Sequence, residues 1–382
     1  MLTGFLILLL ASAGNAEWWV ILINHRHSLR ISAARAKMIR RLHDAAIVLT
    51  PILFVIFAGL RPDGLLRGGA WNDLPVFLQS VLLVEMCGCL SLLWCTIQWW
   101  GGVRSRHRRV LKLLDFGSEP DVNGLKPSPF LRVPGNQILK LEVNQKVVTI
   151  PRPGTESKFV LRIAHFSDLH VFNCPGLSYF EKTFEELAKL KPDLFVFTGD
   201  TLDRLDLLDQ ILPLFERLAA VAPGYFILGN HDALFDQAAI RSGIAGAGWT
   251  DVGGKVLEVE VCGRSIIMAG TEAPWIGANP TPPAHGNHDL RLLLSHTPDQ
   301  RDYALEARYD LMLSGHNHGG QIVLPLLGPV YSPSRFGVRY AGGLFRYRDL
   351  TFHVSRGVAS KDPLRINCLP EITLLETRWT AE

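Results

Sequence analysis

Apolar residues crowd the front of this chain. Val76–Trp100 is a long apolar run, enough to cross a bilayer, which takes ~17–25 residues. Trp94, Trp99 and Trp100 suit the interface near its end. Ala45–Leu60 is shorter but free of charge and reads as a second span. Leu2–Ile23 is interrupted by Ser12, Asn15 and Glu17, and nothing basic precedes Leu6, so it makes a poor cleavable signal. The pattern predicts a transmembrane region over residues 1–112 with two or three spans. Glu85, alone inside the longest run, is expected to meet a neighbouring helix.

Behind this region the pattern changes twice. Gly117, Pro120, Gly124, Pro127, Pro129, Pro134 and Gly135 read as a linker. Ile138–Ile150 then alternates like a hairpin strand pair before Pro151 and Pro153, which makes residues 113–157 a linker with a hairpin. From 158 to 382, strand-like apolar runs alternate with helix-period segments, the pattern of an α/β domain.

Composition adds one constraint and charge another. Apolar residues make up 48% of the chain and charged residues 20%, which fits lipid-facing segments better than an oversized core. A net charge of +3 gives no case for nucleic acid. Its distribution is more informative. Arg26, Arg30, Arg35, Lys37, Arg40 and Arg41 lie between the first two apolar runs with no acid among them. Arg104, Arg106, Arg108, Arg109 and Lys112 follow the last run, while the Arg61–Pro75 loop balances its charges. By the positive-inside rule both basic stretches are cytoplasmic. The chain is therefore expected to be a multi-pass protein of the inner (cytoplasmic) membrane with its C-terminal domain on the cytoplasmic side. Cys87, Cys89, Cys95, Cys174, Cys262 and Cys368 have neither metal-knuckle nor disulfide-framework spacing.

The candidate chemistry sits where strand-like runs end. Phe159–Phe166 leads into Asp168 and His170, and Leu194–Thr198 into Asp200 and Asp203. Tyr225–Leu228 leads into Asn230, His231 and Asp232; Leu292–Ser295 into His296; and Leu311–Ser314 into His316, Asn317 and His318. Ligands of open α/β sheets collect at the carboxyl ends of strands, so five such endings point to one site. Imidazole, carboxylate and amide oxygen without thiolate suit manganese, iron or zinc. The apparent ligands are too many for one ion and about right for two, which can share a carboxylate, activate a hydroxide and clamp a phosphoryl oxygen. Gly286-Asn287-His288-Asp289 repeats the asparagine–histidine block. It follows a proline-rich segment and precedes a strand, so it is expected in a loop, with His285, His288 and His353 outside the ligand set.

These blocks resemble the D-x-H, G-D-x-x-D, G-N-H-D, H and G-H-x-H motifs of the calcineurin-like metallophosphoesterases, in order, over about Leu161–His318. Gly319-Gly320-Gln321, Ser355-Arg356-Gly357 and Arg365 through Pro370-Glu371-Ile372 resemble the membrane-anchored bacterial branch. The resemblance implies a two-sheet α/β sandwich flanked by helices. It also implies two divalent ions, manganese foremost with iron, zinc or magnesium as alternatives. Asp168, His170 and His318 would hold one ion, Asn230, His296 and His316 the other, and Asp200 would bridge them. His231 would act as general acid, oriented by Asp232, with Asp203 behind the ligands and Arg204 near the phosphate. Some members of that branch cleave the pyrophosphate of UDP-2,3-diacylglucosamine in lipid A synthesis. That gives the expected reaction on a lipid-linked phosphate at the bilayer, against a phosphodiester of another lipid or nucleotide, or a non-catalytic tethered module.

Overall fold

The structure is a computed structural model that describes residues 1–27, 33–101, 108–117, 128–151, 160–282, 284, 286 and 288–380. Arg30, Arg104 and Arg106 of the basic stretches, Pro120, Gly124 and Pro127 of the linker, and Pro153, Phe159, His285 and Asn287 lie outside the described residues. The chain divides into two compact units. One comprises Met1–Gly101 with Pro333–Arg339, the other Gly102–Ser332 with Tyr340–Glu382.

The first unit is built on α1 (Leu2–His27), α2 (Ala33–Phe54) and α3 (Val76–Gly101). All three carry windows long and apolar enough to cross a membrane: Leu2–Ile23, Arg41–Gly59 and Val76–Gly101. Two of the polar residues that interrupt the first run, Asn15 and Glu17, face α3. Asn15 Nδ2 donates to Glu85 Oε2 at 3.2 Å, and Ser91 Oγ donates to Glu17 Oε1 at 2.8 Å. Gly14 and Gly88 let the two backbones approach, since a Cβ on either would overlap the partner helix. Small residues at the contact and hydrogen bonds across it are how helices associate where lipid removes the hydrophobic drive. Pro51 inside α2 removes one backbone donor, and the helix relaxes into a π turn at Val55–Gly59.

The second unit is a two-sheet sandwich. Its strands in chain order are β1 (Arg108–Asp115), β2 (Lys140–Pro151), β3 (Val160–Phe166), β4 (Leu194–Phe197), β5 (Gly224–Phe226), β6 (Trp249–Asp251), β7 (Val256–Val261) and β8 (Arg264–Thr271). There follow β9 (Leu290–Ser295), β10 (Leu311–Ser314), β11 (Val323–Leu324), β12 (Gly328–Pro329), β13 (Gly343–Tyr347), β14 (Leu350–Val354) and β15 (Glu371–Thr380). One sheet runs β1-β2-β15-β3-β4-β5-β6, the other β13-β14-β10-β9-β8-β7, and β11-β12 form a separate hairpin.

Side-chain alternation explains the layers. Ile163, Leu194 and Val196 point into the core between the sheets, where they join Ile227, Met268, Leu292 and Leu313. Their neighbours Ala164, Phe166, Phe195 and Phe197 point the other way, into a core shared with α4 (Leu177–Lys189) and α5 (Leu208–Ala219). Phe180, Phe184 and Leu187 of α4 and Ile211, Leu214, Phe215 and Leu218 of α5 recur at helical spacing on the faces that meet them. Strands β3 through β6 are mutually parallel, as are β8, β9, β10 and β14.

The region 113–157 departs from its sequence reading. Ile138–Ile150 is not a hairpin pair but belongs largely to one strand, β2, antiparallel to β1 and parallel to β15. Asn144-Gln145 at its middle lacks the glycine of a tight hairpin turn, and β15 offers a full-length partner instead. Because β1 begins at Arg108, the second unit takes in residues that hydropathy assigned to the membrane region.

The α1–α3 contact yields a test. Gly88→Ile should force the helices apart and lower the melting temperature in detergent, whereas Gly101→Ala, with open space at its Cβ, should leave it unchanged.

Candidate metal centre

Five loops at the C-terminal ends of β3, β4, β5, β9 and β10 bring the candidate ligands together. Their backbones are unusual. Asp168 (φ 56°), His170 (44°), Asp200 (59°), His316 (70°) and His318 (50°) are all left-handed, a region few residues other than glycine occupy. Neighbouring loops hold them there. Asp168 N–H donates to Gly199 O at 2.9 Å, and the N–H groups of Leu169 and His170 donate to Asp200 O at 2.8 and 3.1 Å. At Gly357 (φ 75°) a side chain would collide with Asp168 Cβ. Strain of this kind persists only where its surroundings over-determine it, and functional sites are where it gathers.

The ligand atoms form three overlapping groups, each with its atoms within 4.8 Å of one another: Asp168, His170 and His318; His170, Asp200 and His231; Asp200, His296 and His316. Asp200 belongs to two of them. Its Oδ2 lies 3.4 Å from His170 Nε2 and 3.3 Å from His296 Nε2. Asn230 Oδ1 lies 3.0 Å from His296 Nε2. Asp168 Oδ1 lies 4.0 Å from His170 Nε2 and 3.9 Å from His318 Nε2.

Outer contacts aim the imidazoles. His170 Nδ1 donates to Asp203 Oδ2 at 3.0 Å, which turns Nε2 inward, where it is buried without a hydrogen-bond partner. His296 Nδ1 donates to Thr198 O at 2.7 Å with the same effect. A carboxylate or carbonyl behind the ring is the usual way to orient a metal-binding histidine.

Charge supports the same reading. Asp168 and Asp200 are buried in one cluster, and burial pushes the Asp168 carboxyl up. Burial works in the same direction on Asp200, but His296 and His231 outweigh it and hold Asp200 well below its ordinary range. Burial opposes protonation of His170 and His296. Asp203 and Asp200 prevail at the first, Asp200 and Asp168 at the second, and both are pushed up to about 9. Burial, His170 and Arg365 hold His318 well below its ordinary value. A cluster of buried carboxylates and inward-facing nitrogens, one of them orphaned, fits two divalent cations, which would satisfy both the negative charge and the lone pairs.

The remaining assignments separate. His231 is 19% exposed, and its Nδ1 meets Asp203 Oδ1 at 2.5 Å. Asp203, not Asp232, therefore orients that ring. The Asp232 carboxylate turns back under the loop and accepts the backbone N–H groups of Asp200, Thr201 and Gly229, each at 2.9 Å. It braces the loops of two ligands rather than the acid. The Arg204 guanidinium lies on Asp206, 2.9 Å from Nε to Oδ1, and is not brought into the cluster. His288 caps the start of β9, the end away from His296, where its Nδ1 is 3.0 Å from Ser265 Oγ. His353 lies in a buried chain with His165 and Lys146.

Several contributors have roles that their place in the sequence did not announce. Thr198 acts through its carbonyl. Trp275 sets its ring 4.8 Å from that of His316 and 5.7 Å from that of His296. Arg365, fully buried, donates from Nη1 to His318 O at 2.8 Å, with Nη2 3.3 Å from His318 Nδ1. Arg365 lay within the stretch that resembled the membrane-anchored branch, and its service to His318 gives that stretch a physical meaning.

A two-sheet α/β sandwich with a histidine–carboxylate centre at its strand ends defines a metal-dependent hydrolase. Residues 161–320 match the family model described as calcineurin-like phosphoesterase. Phosphodiesterase YaeI of Escherichia coli (strain K12) is 32% identical over 224 residues, covering 56% of this chain and 81% of that protein. The metallophosphoesterase YkuE of Bacillus subtilis (strain 168) is 31% identical over 229 residues, 57% of this chain and 79% of that one. A Danio rerio protein described as a transmembrane protein with metallophosphoesterase domain is 27% identical over 338 residues, 80% of this chain and 72% of its own. The chain belongs to the calcineurin-like phosphoesterases: it is a hydrolase of phosphoric esters with a candidate centre for two metal ions, and three of its helices are long and apolar enough to cross a membrane.

Three outcomes follow for purified variants. Asp200→Asn should lower the content of both ions, read by elemental analysis, where Asp168→Asn lowers mainly one. Asp203→Ala, which frees the rings of both His170 and His231, should cost ~10–100-fold in metal affinity or activity. Ligation needs neutral imidazole, and His170 and His296 stay protonated up to about 9. Metal uptake should therefore release protons and tighten as pH rises from about 7 toward that value, read by calorimetry in buffers of different ionisation heat.

Proposed function

We propose that this protein cleaves a phosphodiester or pyrophosphate bond in a lipid-linked substrate at the membrane surface. The supporting observation is the coexistence, in one chain, of the buried ligand cluster and three helices apolar enough to cross a bilayer. A soluble substrate gives no reason for such an anchor. The names of two relatives, a phosphodiesterase and a transmembrane protein with this domain, agree with the reading. UDP-2,3-diacylglucosamine, the pyrophosphate of lipid A synthesis, is the first compound to test. Manganese is the metal we propose, in keeping with nitrogen and oxygen donors. We place the domain at the cytoplasmic face of the inner membrane on the strength of the basic stretches.

Two bound ions would supply Lewis acidity and an activated nucleophile. Asp168, His170 and His318 would hold one, Asn230, His296 and His316 the other, with Asp200 shared. The protein's own part is positioning and proton delivery. With Nδ1 fixed on Asp203, His231 presents Nε2 as a donor for the departing oxygen. Asp203 holds His170 at the same time, so one carboxylate registers the acid against a ligand. Trp275 favours a second reading, a nucleotide-bearing substrate, because an aromatic face beside the centre suits a base.

General acid catalysis contributes ~100–10,000-fold, so His231→Ala should lose turnover on that scale while keeping both ions. The loss should shrink for substrates whose leaving group needs no proton. An equal loss on good and poor leaving groups would remove the acid role, and His288→Ala should be silent throughout. In detergent the enzyme should hydrolyse UDP-2,3-diacylglucosamine far faster than UDP-N-acetylglucosamine; equal rates, or none, would remove the lipid assignment. Protease added outside spheroplasts should spare residues 115–382.

A further inference from the structure

The segment after the last ligand carries a feature that the hydrolytic site does not use. From Gly319 to Ser334 no residue is charged. Within it, Val323–Leu324 pairs with Gly328–Pro329 in a short hairpin. Leu326 at its tip is 79% exposed, and Leu324, Leu327 and Val330 are 38%, 44% and 40% exposed. In the catalytic unit a surface hairpin facing only water would ordinarily carry polar or charged residues at such positions.

Backbone geometry argues that these side chains are wanted. Leu326 has φ 69°, a left-handed conformation in which glycine or asparagine is at ease and leucine is not. A hairpin needing only to turn would carry one of those residues. Its base is also built to hold still. Val323 N–H donates to Ile366 O and Ile366 N–H to Gln321 O, both at 2.9 Å, and Val330 N–H donates to Ile322 O at 3.1 Å. Ile366 follows Arg365, whose guanidinium holds His318, so the tip is tied through a few residues to a ligand of the centre.

The same chain supplies the occupant. Its three apolar helices are suited to a bilayer. Pro333–Arg339, which continues directly from the hairpin segment, clusters with the helical unit and not with the catalytic one. There the Arg335 guanidinium lies over the Phe336 ring at 4.6 Å, a cationic–aromatic pair of the kind suited to the headgroup layer.

We propose that the Val323–Pro329 hairpin is a membrane wedge, with Leu324, Leu326, Leu327 and Val330 seated among the acyl chains of the bilayer that anchors the protein. The hairpin then sets the mouth of the centre at the lipid surface, where a phosphate carried by a lipid headgroup is presented. The proposal depends on membrane association and is independent of which ester is cleaved.

The test places the photoreactive residue p-benzoylphenylalanine at Leu326, in the full-length protein in nanodiscs of phosphatidylcholine and phosphatidylglycerol. Irradiation should add the mass of one phospholipid. The same residue at Val221, an exposed position between α5 and β5 at the far end of the strands, should gain none. The probe at Leu327 repeats the measurement should the first variant fold poorly, with metal content reporting folding in both. Adducts only to protein, or no adduct at either hairpin position, would overturn the wedge. Leu326→Gly relieves the backbone and should preserve melting temperature and soluble phosphodiester turnover. A marked loss of stability would show that the leucine serves packing within the fold, and would overturn it as well.

Discussion

The architecture answers one electrostatic demand: Asp168 and Asp200 are held in a nearly water-free cluster, where carboxylates are costly unless something compensates them. Metal cations meet that demand only if several donors reach the same small volume together. A flexible loop would relax away from so unfavourable a concentration of charge. The chain instead fixes each donor at the end of a strand and locks the backbone in a conformation it would not choose alone. The left-handed residues at Asp168, His170, Asp200, His316 and His318 are the visible cost of that arrangement.

Support for the cluster reaches across the sandwich. Lys146 Nζ can only donate while charged, and it lies 2.7 Å from His353 Nε2. This makes His353 Nδ1 the donor to His165 Nδ1, also at 2.7 Å, and His165 Nε2 the donor to Thr198 Oγ1 at 3.0 Å. The carbonyl of the same Thr198 fixes His296. Burial pushes Lys146 down to about 8, with Glu371 opposing the fall, and burial together with Lys146 lowers His165 to about 3. The two imidazoles are thereby neutral links whose hydrogen bonds run in one direction. A directed chain of this kind fixes rings where an apolar core would leave them free to turn.

Much of this was legible in the sequence, and the limits have a common cause. Asp168, His170, Asp200, Asn230, His296, His316 and His318 stood out because a polar, metal-competent residue directly after an apolar strand run is rarely accidental. The alternation that sends Ile163 and Phe166 to opposite faces was equally readable. The orientation of His231 was not. Asp232 is its neighbour in sequence, but the turn Asp232–Leu234 carries that side chain beneath the loop, and Asp203 arrives from another strand end. The roles of Thr198 and Trp275 escaped for the same reason: they act through a carbonyl and a ring face, neither of which leaves a local signature, while Arg365 lay in a legible motif that did not show which ligand it serves. The β2 strand was misread because alternation reveals the faces of a strand but not its partners.

His318 shows how the C-terminal motifs enter the chemistry. Where His170 is backed by a carboxylate and His296 by a carbonyl, Arg365 stands behind the ring of His318, and burial, His170 and this positive charge together hold the imidazole well below its ordinary value and so neutral. Arg365 is held in turn by the carbonyls of Arg356 and Ala359 at 2.7 and 2.6 Å, and Arg356 by Glu371 at 2.8 Å. A lysine could not reproduce this fork, because its single ammonium lacks the planar spread of donors. The three C-terminal motifs are therefore one structural device around His318. They converge on the ligand from which the uncharged hairpin departs, so the same residues that complete the centre also fix the base of that exposed apolar hairpin.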